Sequence, residues 1–262
     1  MKLAVVIPAF NEEAQLGASV KILDEFLSRH FRIDYEIVIA DNGSTDRTLE
    51  FARQLGYERR TIRVVHLNEK GRGRALKSAW LASRADLLSY MDVDLSTDLS
   101  AFPPLIEGLM SGGFDLATGS RLLKPELIKR GWKREFISRC YNVLVKVMFH
   151  TRFSDAQCGF KAITRPAAQA LLPLVEDNGW FFDTELLVLA EKLGYRIFDL
   201  PVRWVDDSDS RVRIIRTAWD DIKGLIRMRK NCVGGRYGRA TSAQKAAKQL
   251  PTGNSNEQCN ST

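Results

Sequence analysis

The feature that most constrains the fold is an alternation of short apolar runs with longer amphipathic segments. Five runs have the length and β-branched content of buried strands, at residues 3–7, 36–40, 62–67, 87–91 and 116–119. The first three are each followed by a helical pattern, at residues 12–31, 46–55 and 75–83. Strands that alternate with helices predict an α/β domain with a Rossmann-like, mostly parallel sheet flanked by helices.

Polar residues gather where these predicted strands end, which is where open α/β sheets carry their sites. Asp92 and Asp94 follow the fourth strand and are two positions apart, so both carboxylates can converge on one cation. Mg²⁺ and Mn²⁺ accept few protein carboxylates and complete their shell with water and phosphate oxygens. The alternative interpretation is a strand-ending turn, and for Asp98 a turn or helix cap is the preferred one.

Two further segments occupy equivalent positions. Asp41 ends the second strand, and the residues after it, 42–46, have the composition of a turn and helix cap. Because a cap does not explain Asp41, we expect its carboxylate to face the crevice and accept hydrogen bonds from a base or ribose. Residues 68–75, NEKGRGRA, form a glycine-rich basic loop after the third strand, suited either to phosphates or simply to solvent.

The second half of the chain is basic and amphipathic. Residues 121–152 hold nine Lys or Arg against two acids, and apolar residues recur there at helical spacing. A similar pattern at 211–230 carries the stripe Ile215, Trp219, Ile222, Leu225 and Ile226. These patterns predict helices near 130–150 and 211–230 that lie on a membrane surface or, alternatively, pack as ordinary core helices with a solvated face. We expect one domain over 1–233 and a disordered polar tail over 234–262.

Composition excludes several classes of protein. The formal net charge is +7, but no nucleic-acid recognition motif accompanies it, so we expect no nucleic-acid partner. No run approaches the roughly 18 apolar residues of a membrane span, so any membrane contact is expected to be peripheral or supplied by a membrane-protein partner. The four cysteines show no CxxC pair, and with no signal peptide this predicts the reducing cytoplasm, at the cytoplasmic face of a membrane.

The segments together resemble the inverting family-two glycosyltransferases with the GT-A fold, in the group that contains polyprenyl-phosphate hexosyltransferases. The resemblance rests on VVIPAFNEE, IADNGSTDRT, NEKGRGRA, YMDVDLSTD and ATGSR. It continues through SDAQCGFKAITR and WFFDTELLVLAEKLGYRIFDLPVRW, which are similar to the dolichyl-phosphate β-glucosyltransferase and mannosyltransferase branch. It covers roughly residues 2–230.

The resemblance implies a nucleotide-sugar donor, UDP-glucose or GDP-mannose, with a preference for UDP-glucose from local similarity. It places Pro8, Phe10 and Glu12 around the nucleoside and Asp41 on the base. The usual second acid after Asp41 is replaced by Asn42, which is expected to act by hydrogen bonding or not at all.

The same resemblance implies that Asp92 and Asp94 hold a Mg²⁺ or Mn²⁺ ion under the donor diphosphate, with Val93 between them in the donor-binding segment. Ser96 stands where the mannosyl branch often has a glutamine that contacts the metal or phosphates. Its role as a further metal contact is therefore an open expectation.

Cations and acids in the later signatures complete the implied site. Arg121, Arg134 and Arg211 fall where the family grips the donor diphosphate or the lipid phosphate, and ordinary surface arginines are the alternative. Asp183 or Glu185 is expected to orient a sugar hydroxyl. The remaining residues of the second signature region are Asp155, Gln157, Lys161 and Trp180.

The predicted reaction moves glucose or mannose to a polyprenyl, dolichyl-type phosphate. Such a phosphate is largely ionised near neutral pH, because its second pKa is about 6, so no dedicated base is required. A saccharide hydroxyl acceptor in polysaccharide synthesis remains an alternative, and it would make a base such as Asp183 indispensable. A nucleotidyltransferase or a non-catalytic nucleotide-binding module is disfavoured, because residues 8–12 lack a glycine-rich loop.

Overall fold

The structure is a computed structural model that describes residues 1–124, 128–129, 132–205 and 214–233. The predicted tail, 234–262, lies outside the described residues. In the first half, strands and helices alternate as predicted: β1 (Lys2–Ala9), α1 (Leu16–His30), β2 (Asp34–Asn42), α2 (Thr48–Glu58), β3 (Ile62–Leu67), α3 (Arg72–Ala82), β4 (Leu87–Met91), α4 (Phe102–Met110) and β5 (Leu116–Ser120).

The second half adds strands and helices that the sequence did not predict, together with the two amphipathic helices that it did predict. A two-residue strand β6 (Ile128–Lys129) precedes helix α5 (Trp132–Phe149). The later elements are β7 (Phe160–Thr164), α6 (Arg165–Leu171), α7 (Phe182–Lys192), β8 (Ile197–Pro201), β9 (Trp204–Val205) and α8 (Ile214–Val233). Short β6 and β9 pair with each other outside the main sheet.

Seven strands form the central sheet in the order β3-β2-β1-β4-β7-β5-β8. Strand β7 runs antiparallel to β4 and β5, and the other pairings are parallel. The predicted α/β class with a mostly parallel sheet is therefore confirmed. Strand β7 lies between β4 and β5 in the sheet. Because it runs antiparallel to β4, the residues from position 155 onward lie beside the end of β4.

The sheet is buried on both faces, which explains its nearly continuous apolar strands. Alternate residues of β1 enter different cores: Leu3, Val5 and Ile7 pack with α1 and α4, whereas Ala4 and Val6 share a core with α3, α6 and α7. The result is three layers, helices on both sides of one sheet. The carboxyl ends of β1, β2 and β4, where the crevice is expected, are thus supported by packed cores on both sides of the sheet.

Candidate active site

The loops after β1 and β2 are held together by side chains from both. Asn42 donates from Nδ2 to the carbonyl of Ala9 at 2.9 Å and accepts from the backbone N–H of Gly71 at 3.2 Å. It is 4% exposed. Asn42 therefore acts by hydrogen bonding, to the backbone of the first strand and of the glycine-rich loop.

The turn after Asn42 also supports the residues expected around the nucleoside. Ser44 Oγ accepts from the backbone of Asn11 at 3.0 Å, and Thr48 Oγ1 accepts from the backbone of Glu12 at 2.7 Å. Asp46 Oδ1 accepts from the backbone of Thr48 at 3.0 Å, where α2 begins. Asp46 thus satisfies one of the backbone N–H groups at the start of α2.

Asp41 is fully buried at the end of β2, beside Ala9 of β1 and His66 of β3 in the strand register. Its Oδ2 lies 2.7 Å from His66 Nδ1, and His66 Nε2 lies 3.1 Å from Asn68 Oδ1. Close to the same strand ends, the Lys70 ammonium lies 3.6 Å from the centre of the Phe10 ring. The sequence reasoning missed His66, whose only signal was a polar residue just before the end of a strand.

The acidic pair follows β4 in a tight turn. Val93 is buried between Asp92 and Asp94, and Leu95 adopts a left-handed φ of 50°. The backbone N–H of Ser96 donates to Asp94 Oδ1 at 3.0 Å, so Ser96 supports the turn through its main chain. Asp98 accepts from the backbone of Ser100 at 2.9 Å and caps a short 3₁₀ helix, which confirms its interpretation as a cap.

Asp92 is held by an arginine that the sequence did not single out. Arg72, at the start of α3, donates to Asp92 and lies 3.4 Å from Asp183. Its guanidinium also lies over the rings of Tyr90, at 5.1 Å, and Trp180, at 4.8 Å. The glycine-rich loop therefore supplies one buried cation to the carboxylates, while Trp180 remains 46% exposed beside it.

Asp183 is fully engaged by donors. Besides Arg72, it receives the Lys161 ammonium at 2.9 Å and the hydroxyl of Tyr90. Lys161 is 2% exposed and donates as well to the carbonyl of Cys158 at 2.5 Å. Two cations and a phenol on one buried carboxylate make Asp183 the centre of a fixed polar network.

The donor set at the strand end fits a hard divalent cation. Asp92 and Asp94 offer carboxylate oxygens, and 40% of the Asp92 side chain is exposed. Gly159 leaves the space for this carboxylate, because a Cβ there would collide with Asp92 Oδ2. No cluster of three or more His, Cys, Asp or Glu side chains suited to a metal occurs among the described residues, so the pair would depend on other oxygens.

Burial raises the pKa of Asp92 to about 6. Arg72 opposes this rise, whereas the neighbouring charges of Asp94 and Asp183 add to it. A divalent cation placed beside the carboxylate would favour its ionised form for the same electrostatic reason.

Arg121 lies in a different setting from the one the sequence implied. It is 8% exposed, and its Nε and Nη2 donate to Asp155 at 2.7 and 3.1 Å. Burial alone would raise the pKa of Asp155, but the charge and hydrogen bonds of Arg121 lower it to about 2. The guanidinium also lies 5.6 Å from the Trp204 ring. Contact between Arg121 and a phosphate stays a prediction. The guanidinium would then have to bind the phosphate and Asp155 at the same time.

Other members of the second signature join α8 to the site. Glu185 is fully buried and accepts from Arg227 and from the backbone of Asp177, both at 2.7 Å. Gln157 donates to Asp221 at 2.7 Å. Arg134 lies in α5, but its side chain is outside the described part of the structure, and Arg211 lies outside the described residues altogether.

Helices α5 and α8 occupy the two segments predicted to be amphipathic. Their inner faces are buried through Val145, Phe149, Leu225 and Met228, and Leu225 thus leaves the predicted surface stripe. Their exposed apolar residues are Phe136, Ile137, Val143, Leu144 and Val147 on α5 and Trp219, Ile222 and Ile226 on α8. None of the helices within the described ranges combines the length and apolar character that a bilayer crossing requires.

The sequence model described as Glycosyl transferase family 2 matches residues 4–172. Glycosyltransferase AglD of Haloferax volcanii is 40% identical over 227 residues, which cover 86% of this chain and 36% of AglD. Dolichyl-phosphate beta-glucosyltransferase ALG5A of Trichomonas vaginalis is 33% identical over 241 residues, which cover 86% of this chain and 73% of that protein. The chain thus spans about a third of AglD and nearly three quarters of ALG5A.

Solved structures agree on the fold. Glucosyl-3-phosphoglycerate synthase from Mycobacterium tuberculosis in complex with UDP superposes with a TM-score of 0.66 and 23% identity, covering 87% of this chain and 80% of that one. The same synthase with Mn²⁺, UDP-glucose and phosphoglyceric acid gives 0.62 and 21% identity, covering 90% and 80%. At these identities they show the fold alone, and the predicted GT-A fold is confirmed.

Family model and curated relatives agree with the signatures in the sequence. The prediction of a glycosyltransferase is confirmed at the level of the family, and the chain belongs to glycosyltransferase family 2.

Proposed function

We propose that this protein transfers a hexose from a nucleotide-sugar to a polyprenyl phosphate of the dolichyl type. The observation that carries the proposal is the carboxylate pair of the half-buried Asp92 and the exposed Asp94, beside the buried cluster of Arg72, Asp183 and Lys161. Several relatives bear the name dolichyl-phosphate β-glucosyltransferase, which favours glucose over mannose. The nucleoside would lie by Pro8, Phe10, Glu12 and Asp41, at the ends of β1 and β2.

Asp92 and Asp94 would hold Mg²⁺ or Mn²⁺. When bound, such an ion neutralises charge that develops on the leaving diphosphate. Arg72 would stabilise the same charge from the protein side, because its guanidinium is already aimed at the Asp92 carboxylate. The sequence-predicted contacts of Ser96, Arg121, Arg134 and Arg211 with metal or phosphates remain proposals of the same kind.

The state of Asp183 supports a phosphate acceptor rather than a hydroxyl acceptor. A general base needs a free lone pair directed at the proton it removes, but Asp183 accepts from Lys161, Arg72 and Tyr90 together. A polyprenyl monophosphate needs no base, since its oxygen is already anionic near neutral pH. Catalysis would then consist of aligning that oxygen with the anomeric carbon and stabilising the leaving group.

The exposed faces of α5 and α8 would bring a lipid acceptor to the protein. Each helix carries a net excess of Lys and Arg over acids, four against one in α5 and five against two in α8. Apolar side chains combined with cations suit the interface of an anionic bilayer. We therefore propose peripheral binding at the cytoplasmic face of a membrane, with a membrane-protein partner as an additional means of attachment.

The reaction is tested by following nucleoside diphosphate release with Mn²⁺ or Mg²⁺, UDP-glucose or GDP-mannose, and with or without a polyprenyl phosphate. Release that depends on the lipid supports the proposal. Release that depends on an added saccharide, and never on the lipid, would favour the polysaccharide alternative. Nucleotide binding without any turnover would point to a non-catalytic module.

Membrane attachment is tested by flotation with vesicles that contain anionic lipid. Trp219→Ser together with Ile226→Ser removes two exposed apolar residues of α8. The double variant should weaken flotation about tenfold or more, because each substitution removes apolar surface that membrane binding would bury. Ile22→Ser, on the exposed face of α1, is the matched control and should leave flotation unchanged. Equal loss in both variants, or no loss in either, would contradict the assignment of this surface.

A further inference from the structure

The carboxylate of Asp41 is buried and only half satisfied. Oδ2 accepts from His66 Nδ1 at 2.7 Å, whereas Oδ1 has no hydrogen-bond partner within the described residues. An unpaired buried carboxylate oxygen is costly, and one at the carboxyl end of a parallel strand indicates a ligand group that donates to it. The orphan oxygen therefore marks a recognition point for a donor N–H or O–H.

The surroundings of Asp41 suit a planar, hydrogen-bonding group. The Phe10 ring lies one residue beyond Ala9, the strand neighbour of Asp41, and carries the Lys70 ammonium 3.6 Å from its centre. Lys70 is exposed and belongs to the glycine-rich loop, so its long side chain can move aside to admit a base. An aromatic ring next to a buried acceptor is the usual combination for stacking and reading a nucleobase.

The number of free oxygens then decides which base fits. Guanine presents two adjacent donors, N1–H and the N2 amino group, and a carboxylate with two free oxygens can accept both. Uracil presents one donor, N3–H, between two carbonyl oxygens. Because His66 occupies Oδ2, Asp41 offers one acceptor and cannot pair with guanine in the two-bonded manner.

We propose that His66 is a specificity-determining residue that makes this site selective for a uridine nucleotide over a guanosine nucleotide. The imidazole holds Oδ2 and so leaves a single oxygen for the imide N–H of uracil. Lys70, whose ammonium lies 3.6 Å from the centre of the Phe10 ring, is available to donate to a uracil carbonyl. This inference rests on the proposed nucleotide-sugar function, and it adds a physical reason for uridine that no sequence similarity supplies.

The test is a titration of the full chain with UDP and with GDP, in the presence of Mn²⁺, by calorimetry. The wild-type protein should bind UDP at least about tenfold more tightly than GDP, the discrimination expected of one well-made hydrogen-bond pattern. His66→Ala should lower the UDP-to-GDP preference by about tenfold. His66→Asn retains an N–H near the position of Nδ1 and should keep most of the preference. His30→Ala, on α1, is the control and should change neither affinity.

The outcomes separate this inference from the proposed function. Equal affinity of the wild-type protein for both nucleotides, or an unchanged preference in a folded His66→Ala variant, would overturn the role of His66 while leaving the transferase proposal intact. A His66-dependent preference without lipid-dependent turnover would support the inference and refute the acceptor. Failure of both nucleotides to bind would overturn both.

Discussion

Two buried arginines hold carboxylates in this protein, and their settings differ. Around Arg121 and Asp155 the site is closed: the side chains are 9% and 0% exposed, and the backbone N–H of Gln157 also donates to Asp155, at 3.1 Å. Around Arg72 the site is open, because the side chain of Asp92 is 40% exposed. Both oxygens of Asp155 are bonded by the protein, whereas Asp92 retains exposed carboxylate surface that can accept a ligand.

The pKa values of the acids follow the same contrast. Burial would raise all of them, but Arg121 lowers the pKa of Asp155 to about 2, whereas Arg72 leaves the pKa of Asp92 raised to about 6. Asp221, which is buried with only the neutral Gln157 as hydrogen-bond partner among the described residues, has a pKa raised to about 7. We infer that the Arg121–Asp155 pair stabilises the fold in addition to the phosphate contact proposed for Arg121, while the Arg72 cluster keeps a reactive site pre-formed.

The largest expected effect is on Asp94, the exposed acid of the open site. Asp94→Asn can keep the hydrogen bond to the backbone of Ser96 but loses the charge, and should lower metal-dependent turnover about a thousandfold. Asp98→Asn preserves a cap of similar quality and should leave turnover near the wild-type rate. Nucleoside diphosphate release measures both, and an active Asp94→Asn enzyme would remove the metal assignment.

Breaking the closed pair should chiefly affect stability. Arg121→Ala leaves Asp155 buried without its cation, so the free energy of unfolding should fall by about 3–5 kcal/mol. Arg72→Ala should cost clearly less, because Asp92 can be solvated and Asp183 keeps Lys161. Urea unfolding of the two variants gives the comparison directly. Losses of equal size would mean that the two pairs are both structural.

The next smaller effect concerns the guanidinium of Arg72, which contacts both Asp92 and Asp183. Arg72→Lys retains a charge but cannot span Asp92 and Asp183 together, and Arg72→Gln loses the charge as well. We expect kcat to fall about tenfold in the first and about a hundredfold in the second, measured by nucleoside diphosphate release. Arg74→Lys serves as the control, since Arg74 pairs with the exposed Glu69 and should tolerate the change. Unchanged kcat in Arg72→Gln would show that this cation has no role in turnover.

The first half of the chain was predictable because its information is local. Each of β1 to β5 is an apolar run that ends in a polar turn, and parallel strands bring those turns to one edge whatever the distant sequence does. Asp41, Asp92 and Asp94 could therefore be placed at the crevice from the sequence. The resemblance to a family then supplied their roles, which the runs alone left open.

The missed features depend on contacts between distant parts of the chain. Strand β7 contains Lys161, a charged residue that argues against a buried strand until its partner Asp183, on α7, is known. Arg72 turns inward, whereas Arg74 does not, in the first turn of α3, where Gly73 packs against Phe182. No local pattern distinguishes one arginine of a basic loop from another, and none shows that His66 will meet Asp41.

The pH dependence of stability tests the contrast between the acids that have a cation partner and Asp221, whose hydrogen-bond partner among the described residues is the neutral Gln157. Because burial, with help from Asp177, raises its pKa to about 7, the folded state binds a proton that the unfolded state releases near pH 4. The free energy of unfolding of the wild-type protein should therefore fall, relative to Asp221→Asn, as pH rises from about 4 to 7, and the gap should then remain constant. We expect a final difference of about 1–3 kcal/mol in thermal or urea unfolding.

Asp220→Asn is the control. It removes an exposed acid that lies 3.7 Å from Lys223 and should show no such dependence on pH. A gap that is independent of pH would mean that Asp221 is ionised in the folded protein throughout, and that a cation reaches it after all.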